Sequence, residues 1–177
     1  MPMTAGLRKL ILALHIGVSV GWLGAVLAYL PLDVATAASN DAQTLRTAYF
    51  GMELIARWVI LPLSLAALAT GIWIGLTTPW GLFRHYWVLI SLILTTLAVV
   101  VLLVEMRTIG ELATIAKDAS TSEEALRALP STLPHSVGGV VVLAGVMALN
   151  IYKPRGLTRY GWRKRHDGGG GERQPPR

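Results

Sequence analysis

The chain has 177 residues, of which 53% are hydrophobic and 15% charged, and its formal net charge is +6. Its mean hydropathy of +0.53 indicates more apolar surface than one soluble domain could bury, so we expect an integral membrane protein. Because the chain has no cysteine, disulfides, thiolate metal sites, thiol nucleophiles and covalent attachment of c-type haem through this chain are excluded.

Four apolar stretches approach the roughly 20 residues that a helix needs to cross the hydrocarbon core. They are residues 10–32, 55–76, 86–104 and, interrupted by glycines, 135–152. These stretches predict an all-α fold in which residues 1–166 form a four-helix membrane bundle. The tail, residues 167–177, is rich in glycine, proline and charge, so we expect it to be disordered.

The segments between the apolar stretches predict little structure of their own. Residues 34–53 indicate a polar outer loop, with a helical portion near residues 41–49. Residues 105–130 are predicted to continue the third helix and then to begin another at Thr121-Ser122-Glu123-Glu124, a capping-box pattern. Neither segment is large enough to form a domain.

The distribution of charge predicts the orientation of the bundle. Eleven of the sixteen basic residues lie in the two termini and the turn at residues 77–85. The positive-inside rule therefore places both termini in the cytoplasm of a bacterial plasma membrane, next to anionic lipid. Nucleic acid is disfavoured as a partner, because the basic residues have no folded domain of their own. A cleaved signal ending at Ala35-Thr36-Ala37 is the competing interpretation of the first span, but that span is long for a signal peptide.

Four hydrogen-bonding side chains are predicted to lie at a similar depth in the inner leaflet. His15 is about 8 Å inside the border of the first span, at a rise of about 1.5 Å per residue. Thr70, Ser91 and Asn150 lie two to six residues inside the same border on the other three spans. The sequence therefore predicts one inner-leaflet polar pocket to which each helix contributes a side chain.

The first span has two distinct faces. Ser19 and Trp22 follow His15 at i+4 and i+7 and so share its face. The opposite face carries a stripe of small residues, which favours close packing against a neighbouring helix or a homodimer with a second copy. The stripe consists of Gly17, Gly21, Gly24 and Ala28.

An imidazole in hydrocarbon is costly unless it is paired, so His15 is expected to face the bundle interior. Three roles are consistent with this position: a neutral imidazole bonded to Ser91, Thr70 or a carbonyl, a haem iron ligand, and a proton-transfer or quinone-contacting group. His85, at the inner border, is a candidate second ligand or propionate contact, or simply an interfacial histidine.

The remaining histidines are too distant to join His15 on one iron. His135 begins the fourth span at the outer border, about 20 Å or more away by the helical rise. There it can join an outer polar cluster of Glu53, Arg57, Glu105 and Arg107. His166 falls near the tail and is expected to be unstructured.

"LHIGVSVGWLGAVLAYLPL" resembles the first helix of the CopD-like superfamily, which includes the HemJ-type protoporphyrinogen oxidases. "MELIARWVILPLSLAALATGIWIGL" and "RHYWVLISLILT" are similar to its second helix and to the start of its third. The chain as a whole, notably "LPHSVGGVV" and "NIYKPRGLTRYGWRKRH", most resembles uncharacterised bacterial integral membrane proteins classed as a domain of unknown function.

The HemJ-type resemblance implies that His15 ligates haem b. It also implies a lysine near the start of the third helix, where this chain has Ser91, so protoporphyrinogen oxidation is not expected. The CopD resemblance implies copper handling, but the five methionines do not cluster into a soft-metal site. We therefore expect a haem b protein that passes electrons to quinone or to a redox partner protein. The competing hypothesis is a non-enzymatic scaffold or accessory subunit without a cofactor.

Overall fold

A computed structural model describes residues 4–78 and 80–167. The predicted all-α fold is confirmed: within those residues the chain is helical, and four helices are long and apolar enough to cross a membrane. The described residues contain seven α-helices, one after another. They are α1 (Ala5–Ala38), α2 (Ala42–Ile55), α3 (Leu61–Thr77), α4 (Tyr86–Lys117), α5 (Glu123–Arg127), α6 (Leu133–Tyr152) and α7 (Arg159–Asp167).

The bundle has an up-down-up-down arrangement. Helix α1 packs against α3 and α6, and α4 packs against the same two helices, so that α1 and α4 lie diagonally. One end carries the start of α1, the turn at residues 78–85 and the end of α6, and we call it the proximal end. The other, the distal end, carries the end of α1 and the start of α6. The outward surfaces of the helices remain apolar, as a lipid-facing bundle requires.

Helix α1 is longer than the sequence predicted. The span was expected to end at residue 32, because Pro31 removes a backbone donor from a helix interior. In the structure α1 continues through an exposed Pro31 to Ala38. As a result Asp33 lies within the helix, where it is fully buried, instead of in an outer loop.

The polar loop predicted at residues 34–53 is much shorter in the structure. Only residues 39–41 separate α1 from α2, because Asp41 caps α2 by accepting a bond from the Thr44 amide at 2.8 Å. Helix α2 buries residues at helical spacing, namely Leu45, Ala48, Tyr49 and Met52. This apolar face packs on α1 and α4, so the segment belongs to the bundle.

A π-helical turn, Ala56–Ile60, joins α2 to α3 without interrupting the rod. The Leu61 amide bonds to the Ala56 carbonyl, five residues back. Pro62 follows and has no N–H to donate to a carbonyl of the preceding turn, which favours a π-helical turn here. Continuous helix from residue 42 to residue 77 therefore replaces the shorter second span, 55–76, that the sequence predicted.

The segments that follow α4 and α6 are fixed by local polar contacts. The third membrane helix, α4, continues beyond its span as expected and ends at Lys117, and α5 begins within the predicted Thr121-Ser122-Glu123-Glu124 pattern, with Ser122 as its cap. At the proximal end, the Thr158 amide donates to the Arg84 carbonyl at 3.0 Å, which docks the start of α7 on the turn before α4. His166, expected to be unstructured, lies in α7, and the predicted tail from residue 168 lies outside the described residues.

Candidate functional site

The four side chains predicted to form one inner-leaflet pocket form two separate hydrogen-bonded pairs at the proximal end. His15 of α1 bonds to Thr70 of α3, with 2.9 Å between Nδ1 and Oγ1. Asn150 of α6 donates from Nδ2 to Ser91 Oγ of α4 at 3.4 Å. Each pair closes one helix–helix seam on its own side of the bundle. No hydrogen bond among the described residues links one pair to the other.

The Thr70 hydroxyl favours one tautomer of His15. Its Oγ1 is 2.7 Å from the Ala66 carbonyl, to which it donates, with the Ala67 carbonyl at 3.2 Å. With its proton so directed, the hydroxyl accepts from His15, and this arrangement favours the imidazole proton on Nδ1. Nε2 is left with its lone pair, which is the form in which neutral histidine binds a metal.

Gly71 gives the imidazole room to lie against α3. A Cβ built on Gly71 would come within 3.1 Å of His15 Cε1, tighter than ordinary van der Waals contact. The glycine next to Thr70 is therefore needed for the close approach that makes the hydrogen bond. His15 itself is half-buried, as is Ser19 one turn along α1.

The other predicted site residues lie elsewhere. Trp22 shares the face of His15, as expected, but is buried deeper in the bundle. His85 precedes α4 and bonds through Nδ1 to the Trp80 carbonyl at 2.8 Å, with its ring 5.3 Å from the Trp80 ring. No contact among the described residues brings His85 to His15, so a shared ligand role stays a prediction.

The small-residue stripe divides between two environments. Gly21 lies on the α1–α3 seam, where an added Cβ would be 3.5 Å from the Leu63 side chain. Gly17 and Gly24 have no atom within 4 Å of such a Cβ, and Ala28 is exposed. Only the latter three therefore present a free small-residue surface.

The distal end contains a buried carboxylate that the sequence did not predict as a site. Asp33 accepts a bond from Thr132 Oγ1 at 2.8 Å and another from Ser136 Oγ at 2.6 Å. The Tyr29 hydroxyl lies 3.5 Å from the same Thr132 oxygen. These four side chains join the end of α1 to the start of α6. In the sequence, the i+4 spacing of Asp33 from Tyr29 was the available signal.

The predicted outer polar cluster forms in part. Glu53 lies between Lys117, at 2.5 Å, and Arg57, at 3.8 Å. Glu105 faces His135 instead, with 3.6 Å between Oε1 and Nε2. Arg107 borders a shallow groove that Glu53 and Arg57 also line.

A half-open central cavity of about 300 Å³ lies between the two ends, and two side chains of its wall, Leu97 and Val101, are also exposed on the outer surface. It is bordered by α1, the π-helical turn, α4 and α6, and its walls are mostly apolar. Trp22 and Tyr29 belong to these walls, whereas His15 does not.

A family model described as "Predicted integral membrane protein (DUF2269)" matches residues 9–154. The chain belongs to this family. The predicted resemblance to an uncharacterised membrane protein family is thereby confirmed. No curated protein and no solved structure matches the chain. The family model covers all four membrane-length helices and ends just after α6.

Proposed function

We propose that this membrane protein binds haem b through Nε2 of His15 and takes part in electron transfer with a quinone or a redox partner protein. The observation that carries the proposal is the orientation of His15. Thr70 accepts the Nδ1 proton and its own proton is committed to Ala66. A metal-binding histidine characteristically donates its other ring N–H in this way, which fixes both tautomer and ring angle.

One residue present, His15, would supply a nitrogen ligand to a haem iron. His15 supplies a neutral imidazole nitrogen, and Gly71 leaves the ring room against α3. His15 does not line the central cavity, so the group would be held at the imidazole and not in that cavity. When bound, haem supplies a one-electron couple. The roles of the chain are to hold the imidazole neutral, to fix its angle and to keep it at the proximal end.

The test is a visible absorption spectrum of protein purified in detergent after expression with haem supplied. We expect a Soret band that is lost in His15→Ala and retained in His135→Ala, a distal control with the same change. Thr70→Ser should keep the band, because it keeps the hydroxyl, whereas Thr70→Val should weaken haem retention about tenfold or more. Helical circular dichroism checks that each variant is folded.

A colourless wild-type preparation with intact helical structure would overturn the proposal. It would favour the scaffold hypothesis, which has its own support in the structure. Both proximal pairs, His15–Thr70 and Asn150–Ser91, are complete interhelical bonds that stabilise helix seams without a cofactor. Equal spectra for wild type and His15→Ala would place any haem elsewhere.

We propose further that the proximal end faces the cytoplasm of a bacterial plasma membrane. The basic residues near that end support this orientation by the positive-inside rule. Because the chain has no cysteine, single cysteines report sidedness directly. An impermeant maleimide applied to intact cells should label Asn40→Cys at the distal end and spare Lys153→Cys. The reverse pattern would invert the topology.

We also propose a homodimer through the small-residue stripe of α1, at the free surface that Gly17 and Gly24 provide. Gly21 is not part of that surface, because it packs against α3 of the same chain. Close backbone approach at small residues is a common way for membrane helices to associate. Gly24→Leu should convert a dimer to a monomer in light scattering, with Ala38→Leu as an exposed control on α1. A wild-type monomer would refute the dimer.

A further inference from the structure

The central cavity has the size and walls of a small-molecule site. Its volume of about 300 Å³ is roughly twice that of a 150 Å³ apolar cavity that takes up benzene. A compound of about two fused rings would therefore fill it. Aliphatic and aromatic side chains line most of its surface, and polar groups are confined to the distal end.

The π-helical turn contributes directly to this cavity. Ala56 and Ile60, its first and last residues, are both buried and both line the wall. A π-helical turn inside an α-helix often marks a functional position, because it redirects side chains that a regular helix would place elsewhere. Here it presents a small residue and an aliphatic one to the cavity.

The polar end of the cavity accepts hydrogen bonds but has little to donate. Thr132 and Ser136 line it, and both commit their protons to Asp33 behind them. The Tyr29 hydroxyl is 3.5 Å from Thr132, which is long for a hydrogen bond between hydroxyls, so it keeps a proton that it can also donate to a ligand. The Thr132 and Ser136 hydroxyls present lone pairs to the cavity, and the carboxylate of Glu105 adds another acceptor.

His135 also borders this end of the cavity. Its imidazole is 3.6 Å from Glu105, and its side chain is 54% exposed, so it lies towards the surface. Among the described residues at this end, the side-chain donors are the Tyr29 hydroxyl and the His135 imidazole, and the acceptors on Thr132, Ser136 and Glu105 outnumber them.

We propose that the cavity binds a lipophilic alcohol or phenol of about two rings, whose hydroxyl donates to the oxygens at the distal end. The apolar walls take the rings, and the acceptor-rich end selects a ligand that carries O–H over one that carries only a carbonyl or ether oxygen. This site is separate from His15 and does not depend on haem.

The experiment compares 1-naphthol with 1-methoxynaphthalene, which has a similar ring but no donor. Binding to purified protein in lipid nanodiscs is measured by equilibrium dialysis, with empty nanodiscs to correct for partition into lipid. We expect wild type to bind 1-naphthol about fivefold more tightly, the effect of one hydrogen bond. Glu105→Gln, whose amide can donate, should reduce that preference.

Filling the cavity should abolish binding. Ala98→Phe and Val142→Phe place a ring into it from α4 and from α6, and Ala38→Phe makes the same kind of change on the exposed surface of α1 as a control. His15→Ala should bind 1-naphthol as wild type does, which separates this result from the fate of the haem proposal. Equal affinity for the two probes, or undiminished binding by a folded cavity-filling variant, would overturn the proposal.

Discussion

Replacing Asp33 tests whether the distal cluster is held by hydrogen bonds, as the structure indicates. In Asp33→Ala, Thr132 loses the acceptor of its 2.8 Å bond inside the protein. Ser136 keeps an acceptor, because the Leu133 carbonyl lies 3.1 Å from its Oγ. One buried donor is thus left unpaired, at a cost of about 1–3 kcal/mol, and the missing side-chain atoms add to that cost. We expect the free energy of unfolding to fall by about 2–3 kcal/mol.

Asp33→Asn should behave differently because the cluster can reorganise around it. The amide oxygen still accepts from Thr132, and the amide N–H can donate to Ser136, whose proton then goes to Leu133. The substitution also replaces a fully buried carboxyl group by a neutral amide of nearly the same shape. We therefore expect a change of less than about 1 kcal/mol.

Unfolding by SDS in mixed micelles, followed by helical circular dichroism, measures both variants under the same conditions. Adding Thr132→Val to Asp33→Ala should recover about 1 kcal/mol, because removing both partners of a buried bond is less costly than removing one. If Asp33→Asn destabilises the protein as much as Asp33→Ala, hydrogen bonds that the amide can replace do not hold the cluster. Our reasoning would then be refuted.

Three further changes test other contacts. Gly71→Ala should push the His15 ring away, lengthen its hydrogen bond and lower the free energy of unfolding in SDS by about 1 kcal/mol. Gly17→Ala, whose added methyl group meets open space, should not lower it. Arg46→Gln removes a guanidinium that donates to three carbonyls, one in the last turn of α4 and two just after it, so hydrogen exchange there should rise about tenfold. Hydrogen bonds from the Ser120 hydroxyl and amide lower the pKa of Asp118 below its ordinary value of 3.8. In a proteolysis assay, the resistance of this turn to cleavage should therefore persist above pH 5 and be lost as the pH falls below 3.8. Asp118→Asn should abolish that pH dependence.

The membrane-length helices could be predicted because hydrocarbon imposes a length and a composition that are visible in any window of the sequence. Helix α2 was predicted only in part, as a helical portion near residues 41–49, because it is short and carries polar residues on its outer side. Its buried positions do follow a helical period, from Leu45 to Met52. That period was the missed signal, and weighing it above mean polarity would have extended the second span to its observed start.

Depth in the membrane was predictable for the candidate site, but position around the bundle was not. Counting residues from the span borders placed His15, Thr70, Ser91 and Asn150 at a common height, and the structure pairs them at one end. Which helices are neighbours depends on packing across the whole bundle, and the spacing along one helix carries no such information. Four side chains at one height therefore became two pairs on opposite seams.

One face of α1 connects the two candidate sites. His15, Trp22 and Tyr29 repeat every seven residues, and Asp33 follows Tyr29 by four, so all four share a face. At about 1.5 Å per residue, the imidazole and the carboxylate are about 27 Å apart, near the full thickness of the hydrocarbon core. Trp22 and Tyr29 border the cavity between them. A single helix face thus carries a metal-competent nitrogen at one end, an apolar cavity in the middle and a hydrogen-bonded carboxylate at the other, because each polar group is paired with a different neighbouring helix.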